Sequence, residues 1–93
     1  MNIHDKYQSV RKQYFIPHME LTDYHYNIGM KQVTHQMCLL FPHVELDLKA
    51  YKDSMDWHAK NYDEVKFLDG IEGKLYLFSE NEQLLTEFVL TYM

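Results

Sequence analysis

The sequence predicts a single small α+β domain, with about four helices, a β-hairpin and a third short strand ahead of it. Three observations carry this. Apolar residues recur at spacings of three and four along much of the chain, the period of a helix that turns one face to a core. The stretch "DEVKFLDGIEGKLYLFS" instead places two β-prone runs on either side of Asp69-Gly70 and Gly73, residues that readily reverse the chain. At 93 residues, with only three Gly and two Pro, the chain has material for one core and little for long loops.

In the first segment Ile3, Tyr7, Val10 and Tyr14 fall on one helical face, with Asp5 and Gln8 as a capping pair. Pro17 ends it, because the residue before a proline is pushed out of the α region. A second helix is predicted from Thr22 to Leu40, with Tyr26, Met30, Val33, Met37 and Leu40 on its stripe and Thr22 or Asp23 as its cap. Gly29 costs that helix about 1 kcal/mol relative to alanine, which implies either local weakness or a closely packed neighbour. Pro42 closes it. "HVELDL" then alternates Val44, Leu46 and Leu48 with polar residues, the period of a half-buried strand.

From near Asp47 to Asn61 the spacing returns to helical, through Leu48, Tyr51, Met55, His58 and Tyr62, while Lys49, Lys52, Asp53, Asp56 and Lys60 form a mixed-sign solvent face. Hairpin strands are predicted near 64–68 and 74–79. Ser79 with Glu82 reads as a capping box that opens a last helix, with Leu85, Phe88, Val89 and Tyr92 turned inward. That helix is apolar up to Met93, so it packs on the chain's own core or on a second subunit. Two architectures fit the order of elements. One is a small sheet with helices on one face. The other is a winged-helix-like arrangement, with the hairpin as wing and the last helix for dimerisation.

Apolar residues at 46% and charged residues at 25% describe a chain that can bury a core and is not disordered by composition. Eight Tyr, five Phe, one Trp and six Met give it residue types common both in cores and at contact surfaces. The net charge of −5 is unevenly placed: the half after Pro42 sums to −6 and the half before it to +1, so the second half repels nucleic-acid backbones. The single cysteine forms no internal disulfide, no secretory signal pattern opens the chain, and the longest apolar run, Met37 to Phe41, falls far short of the roughly 20 residues that span a bilayer. The expectation is a soluble cytoplasmic protein that does not bind membranes.

"HQMCLLFPHVE" holds the one constellation with metal-ligand character. His35 and Cys38 are neighbours on a helix face, and His43 beyond Pro42 is a third ligand if it folds back, with Glu45 as an oxygen donor. The pattern lacks a second tight pair, and "MCLLF" is the setting of a buried thiol. A nucleophilic Cys38 with His35 as base meets the same objection, since burial raises a thiol pKa. No phosphate-cradling Gly-rich turn, Gly-x-Ser-x-Gly or paired-carboxylate spacing occurs, and no cofactor is expected.

The sequence therefore points to a non-enzymatic protein-binding module that regulates or inhibits a protein partner and forms homodimers. Tyr24, Tyr26, Tyr51, Trp57 and Tyr62 are its candidate contacts, with Leu85, Phe88 and Tyr92 for self-association. The alternatives are a winged-helix-like nucleic-acid binder using Lys49, Lys52, Lys60 and Lys74, and a metal-binding protein using His35, Cys38 and His43.

Overall fold

The computed structural model describes residues 2–15, 22–69 and 73–93. Helix α1 spans Ile3–Tyr14 and α2 spans Asp23–Leu40; strand β1 (His43–Leu46) follows, then α3 (Leu48–Asp53), α4 (Met55–Lys60) and a 3-10 turn at Tyr62–Glu64. Strands β2 (Val65–Asp69) and β3 (Leu75–Ser79) lead into α5 (Glu82–Tyr92). The three strands form one antiparallel sheet in the order β1-β3-β2, so the domain is α+β as expected. The expectations for Pro17 and Gly70 lie outside the described residues.

The central strand explains the layering. β3 reads Leu-Tyr-Leu-Phe-Ser, apolar at successive positions, and such a strand is stable only when both of its faces are covered. Leu75 and Leu77 point to one side, where they join Leu46 and Val65 with Ala50 of α3, Trp57 of α4 and Leu84, Leu85 and Phe88 of α5. Phe78 points to the other, joining Leu68 with Ile3, Tyr7 and Val10 of α1 and Val33 and Met37 of α2. Helices thus cover both faces of the sheet, where the first of the two architectures expected from sequence placed them on one.

Helix ends follow local hydrogen-bond chemistry. Thr22 caps α2 by accepting from the His25 N–H, as expected, and Asp47 caps α3 by accepting from the Ala50 N–H. At α1 the cap is Asn2, which accepts from the Asp5 N–H, rather than an Asp5–Gln8 pair. At α5 the cap is Asn81, accepting from the Gln83 N–H. Ser79 is drawn into β3 instead, where its hydroxyl donates to the Glu64 carbonyl at 2.7 Å and accepts from the Asn81 N–H. The predicted third helix breaks at Ser54, whose buried hydroxyl donates to the Tyr51 carbonyl and competes with the regular helix ladder. At Gly29 a Cβ would lie 2.6 Å from the Phe15 ring, so this glycine lets α1 and α2 approach closely.

Candidate functional site

The structure separates the proposed metal ligands. His35 is exposed on α2, and Cys38 is partly buried against the α1/α2 core. β1 pairs His43 with Phe78, so the imidazole stays over the sheet: its centroid is 5.5 Å from the Phe78 ring, and Nδ1 lies 3.0 Å from the Phe41 carbonyl oxygen. Among the described residues no three His, Cys, Asp or Glu side chains gather as metal ligands, and the His35–Cys38–His43 site is not formed. Burial, and then the Glu45 carboxylate, push the Cys38 thiol above its ordinary range. A thiol held protonated is a poor nucleophile.

The candidate contact residues divide sharply. Trp57 is only 7% exposed; its Nε1–H donates to Glu87 Oε1 at 3.1 Å and its ring lies 5.2 Å from Phe88. Leu85 and Phe88 are also core residues, which answers what the apolar side of α5 packs on: the chain's own sheet. Tyr51 and Tyr92 are partly buried, against Phe67 and Phe88. Tyr24, Tyr26 and Tyr62 remain exposed, although Tyr62 stacks on His4 with ring centroids 4.4 Å apart. Surface contact through Trp57, Leu85 or Phe88 would require these residues to leave the core.

Other apolar residues take the exposed positions. Tyr24 is 70% and Leu39 is 68% exposed, and with Ile28 and His35 they follow helical spacing along one side of α2. The opposite side buries Met30, Val33 and Met37. The sequence signal for this second stripe was available: α2 carries apolar residues on both faces, and only one face can meet the sheet. On α5, Val89, Leu90 and Met93 are exposed, and Val44, Leu85, Thr86, Val89 and Leu90 line a shallow groove between that helix and β1.

A cationic group gathers along β2. The Lys66 ammonium lies 4.6 Å from the Tyr7 ring centroid. Burial, followed by the Arg11 charge, lowers the Lys66 pKa. His58 packs edge-on against Phe67 at 4.5 Å; burial, and then Lys66 and His4, lower its pKa. A cleft of about 750 Å³ opens where the first turns of α1 and α5 meet, lined by Asp63, Glu64, Glu80 and Glu82 among others; Glu80 pairs with Lys6.

The helix expected to carry the lysines proposed for nucleic acid is divided at Ser54, with Lys49 and Lys52 on α3 and Lys60 on α4. Lys49, Lys52 and Lys60 are exposed, as are the intervening Asp53 and Asp56.

What these features define is a small α+β domain. Compared with protein-family models, curated proteins and solved structures, the chain matches none. Among the described residues no helix is long and apolar enough to cross a membrane.

Proposed function

We propose that this chain is a non-enzymatic, cytoplasmic protein-binding module that regulates or inhibits a protein partner and also self-associates. The observation that supports partner binding is the exposed stripe of α2: Tyr24, Ile28 and Leu39 stand on one side of the helix, away from the core. Apolar residues scattered singly over a surface are ordinary, but several aligned on one helix face suit a hydrophobic groove on another protein. Tyr24 contributes a rigid amphipathic anchor, and His35 on the same side offers a polar contact.

Affinity capture with the wild-type chain and with a Tyr24→Ser/Leu39→Ser double variant tests this. The wild type is expected to retain a stoichiometric protein that the variant loses, while the unfolding midpoint stays within roughly 2 °C because both positions are exposed. No retained protein from the wild type, or equal retention by both chains, would count against the reading.

The nucleic-acid alternative keeps one support, the hairpin that follows two short helices. Carboxylates among its lysines weaken it. Random duplex at low salt is expected to show no retardation in a gel.

A further inference from the structure

β1 is an open edge of the sheet. β3 occupies one side of it, and among the described residues no backbone group pairs with the other. The antiparallel ladder determines which groups face outward. Ser79 N–H donates to the Pro42 carbonyl at 3.2 Å, and the register continues through Val44 with Leu77 and Leu46 with Leu75. Residues alternate between hydrogen-bonded and non-hydrogen-bonded pairs. Pro42, Val44 and Leu46 therefore turn their peptide groups to β3, and His43 and Glu45 turn theirs away from it.

Consider a second copy of β1 laid antiparallel against this edge about a twofold axis. Three registers let the outward groups pair, centred on His43, Val44 or Glu45. Centring on Glu45 opposes two carboxylates, and centring on His43 opposes two imidazoles. Like charges directly opposite are unfavourable, which disfavours the Glu45 register, and the His43 register forms only two backbone bonds within β1. Centring on Val44 sets His43 against the second copy's Glu45 in both halves; Nδ1 already faces the Phe41 carbonyl, so Nε2 is left for the carboxylate, and with a proton on it the register has four backbone hydrogen bonds and two imidazolium–carboxylate pairs on one sheet face.

The opposite sheet face is apolar at the same place. There Val44 meets its own counterpart as a non-hydrogen-bonded pair, the closer of the two antiparallel geometries. Val44 also lines the groove with Val89 and Leu90 of α5, and Leu90 is 80% exposed. An axis through Val44 brings the two grooves together. Charge pattern, outward backbone groups and exposed apolar surface select the same register.

We infer that the protein forms a twofold dimer by joining two β1 edges antiparallel with Val44 on the axis, so that two three-stranded sheets become one. This rests on the proposed self-association, and it assigns that association to β1 and the exposed side of α5 rather than to the α2 stripe.

Sedimentation equilibrium of the full chain at about 100 μM tests it, together with amide exchange resolved by residue. The wild type is expected to be a dimer. The His43 and Glu45 amides are expected to exchange more slowly as concentration rises. Glu45→Lys places an ammonium opposite His43 twice, and is expected to weaken the dimer about tenfold or more; His43→Glu combined with Glu45→Lys restores it. Leu90→Glu, at an exposed position, weakens it from the other sheet face. A wild-type monomer overturns both self-association and this interface. A dimer that Glu45→Lys leaves intact, or whose His43 and Glu45 amides exchange at a concentration-independent rate, overturns the edge alone. If Tyr24→Ser/Leu39→Ser dissociates that dimer, self-association stands and belongs to α2.

Discussion

The two faces of the sheet are closed in different ways. Under α3, α4 and α5, aromatic groups meet one another: Trp57 and Tyr92 against Phe88, and Tyr51 and His58 against Phe67. Under α1 and α2, cations cover rings: Lys66 over Tyr7, Arg11 over Phe15 at 5.1 Å and Lys6 over Phe41 at 5.6 Å. Aromatic pairs add about 0.5–1.5 kcal/mol to the burial of their surface. A cation over a ring gains a comparable amount but gives up hydration to do so. Both faces are sensitive to lost volume, since Phe88 lies fully buried in the first and Phe78, Val33 and Met37 in the second; the second is in addition sensitive to charge.

The largest test of this contrast is Phe88→Ala. Phe88 is fully buried and touches three rings, so the variant is expected to lose about 3–5 kcal/mol in urea unfolding. Trp57→Phe keeps most of the ring but removes the donor to Glu87, and is expected to cost about 1–2 kcal/mol. On the other face Lys66→Met is expected to change stability by no more than about 1 kcal/mol, because the lost contact with Tyr7 is offset by relief of a partly buried charge near Arg11. The sign for Lys66 follows from its lowered pKa: the unfolded chain holds the proton more tightly, so the contribution of Lys66 to wild-type stability rises with pH over the alkaline interval just below about 10.4, and the variant loses that slope. A loss from Lys66→Met as large as that from Phe88→Ala would erase the distinction between the faces.

Much of this architecture was legible in residue order. Ile3, Tyr7 and Val10 have the helical period and are buried; Val44 and Leu46 have the strand period and lie in β1; the hairpin falls within a residue or so of its expected bounds. The covering of both sheet faces was also written in Leu75, Tyr76, Leu77 and Phe78, a run too apolar for a sheet with one wet face. Caps were harder, because a side-chain oxygen is recruited by whichever donor the fold brings near. Ser79 matched a capping box in sequence, yet pairing with β2 carried its hydroxyl to Glu64. The surface was least legible. Trp57 has charged neighbours in sequence and a core position in space, since a helix rotates each residue about 100° from the last and charged neighbours do not determine its direction.

The smallest expected effect sits where the two faces meet, at His58. By contact it belongs to the aromatic side, edge-on to Phe67; Lys66 and His4 disfavour its protonation by their charge. Burial is the larger cause of its lowered pKa, so protonation costs the folded state more than the unfolded one. With the folded pKa below the unfolded value of about 6.5, the unfolded chain binds the proton first, and stability falls as pH drops through that value. The thermal midpoint of the wild type is therefore expected to decline between about pH 7 and pH 5.5, above the range where most carboxylates titrate. His58→Gln removes the titrating group, and its decline should be shallower over the same interval. Lys66→Met removes the larger of the two charge effects named, so in that background the wild-type imidazole is expected to titrate closer to its ordinary value, measurable from the His58 ring protons by NMR. An unchanged His58 titration would show that the Lys66 charge does not set it, and that the cationic face stops at β2.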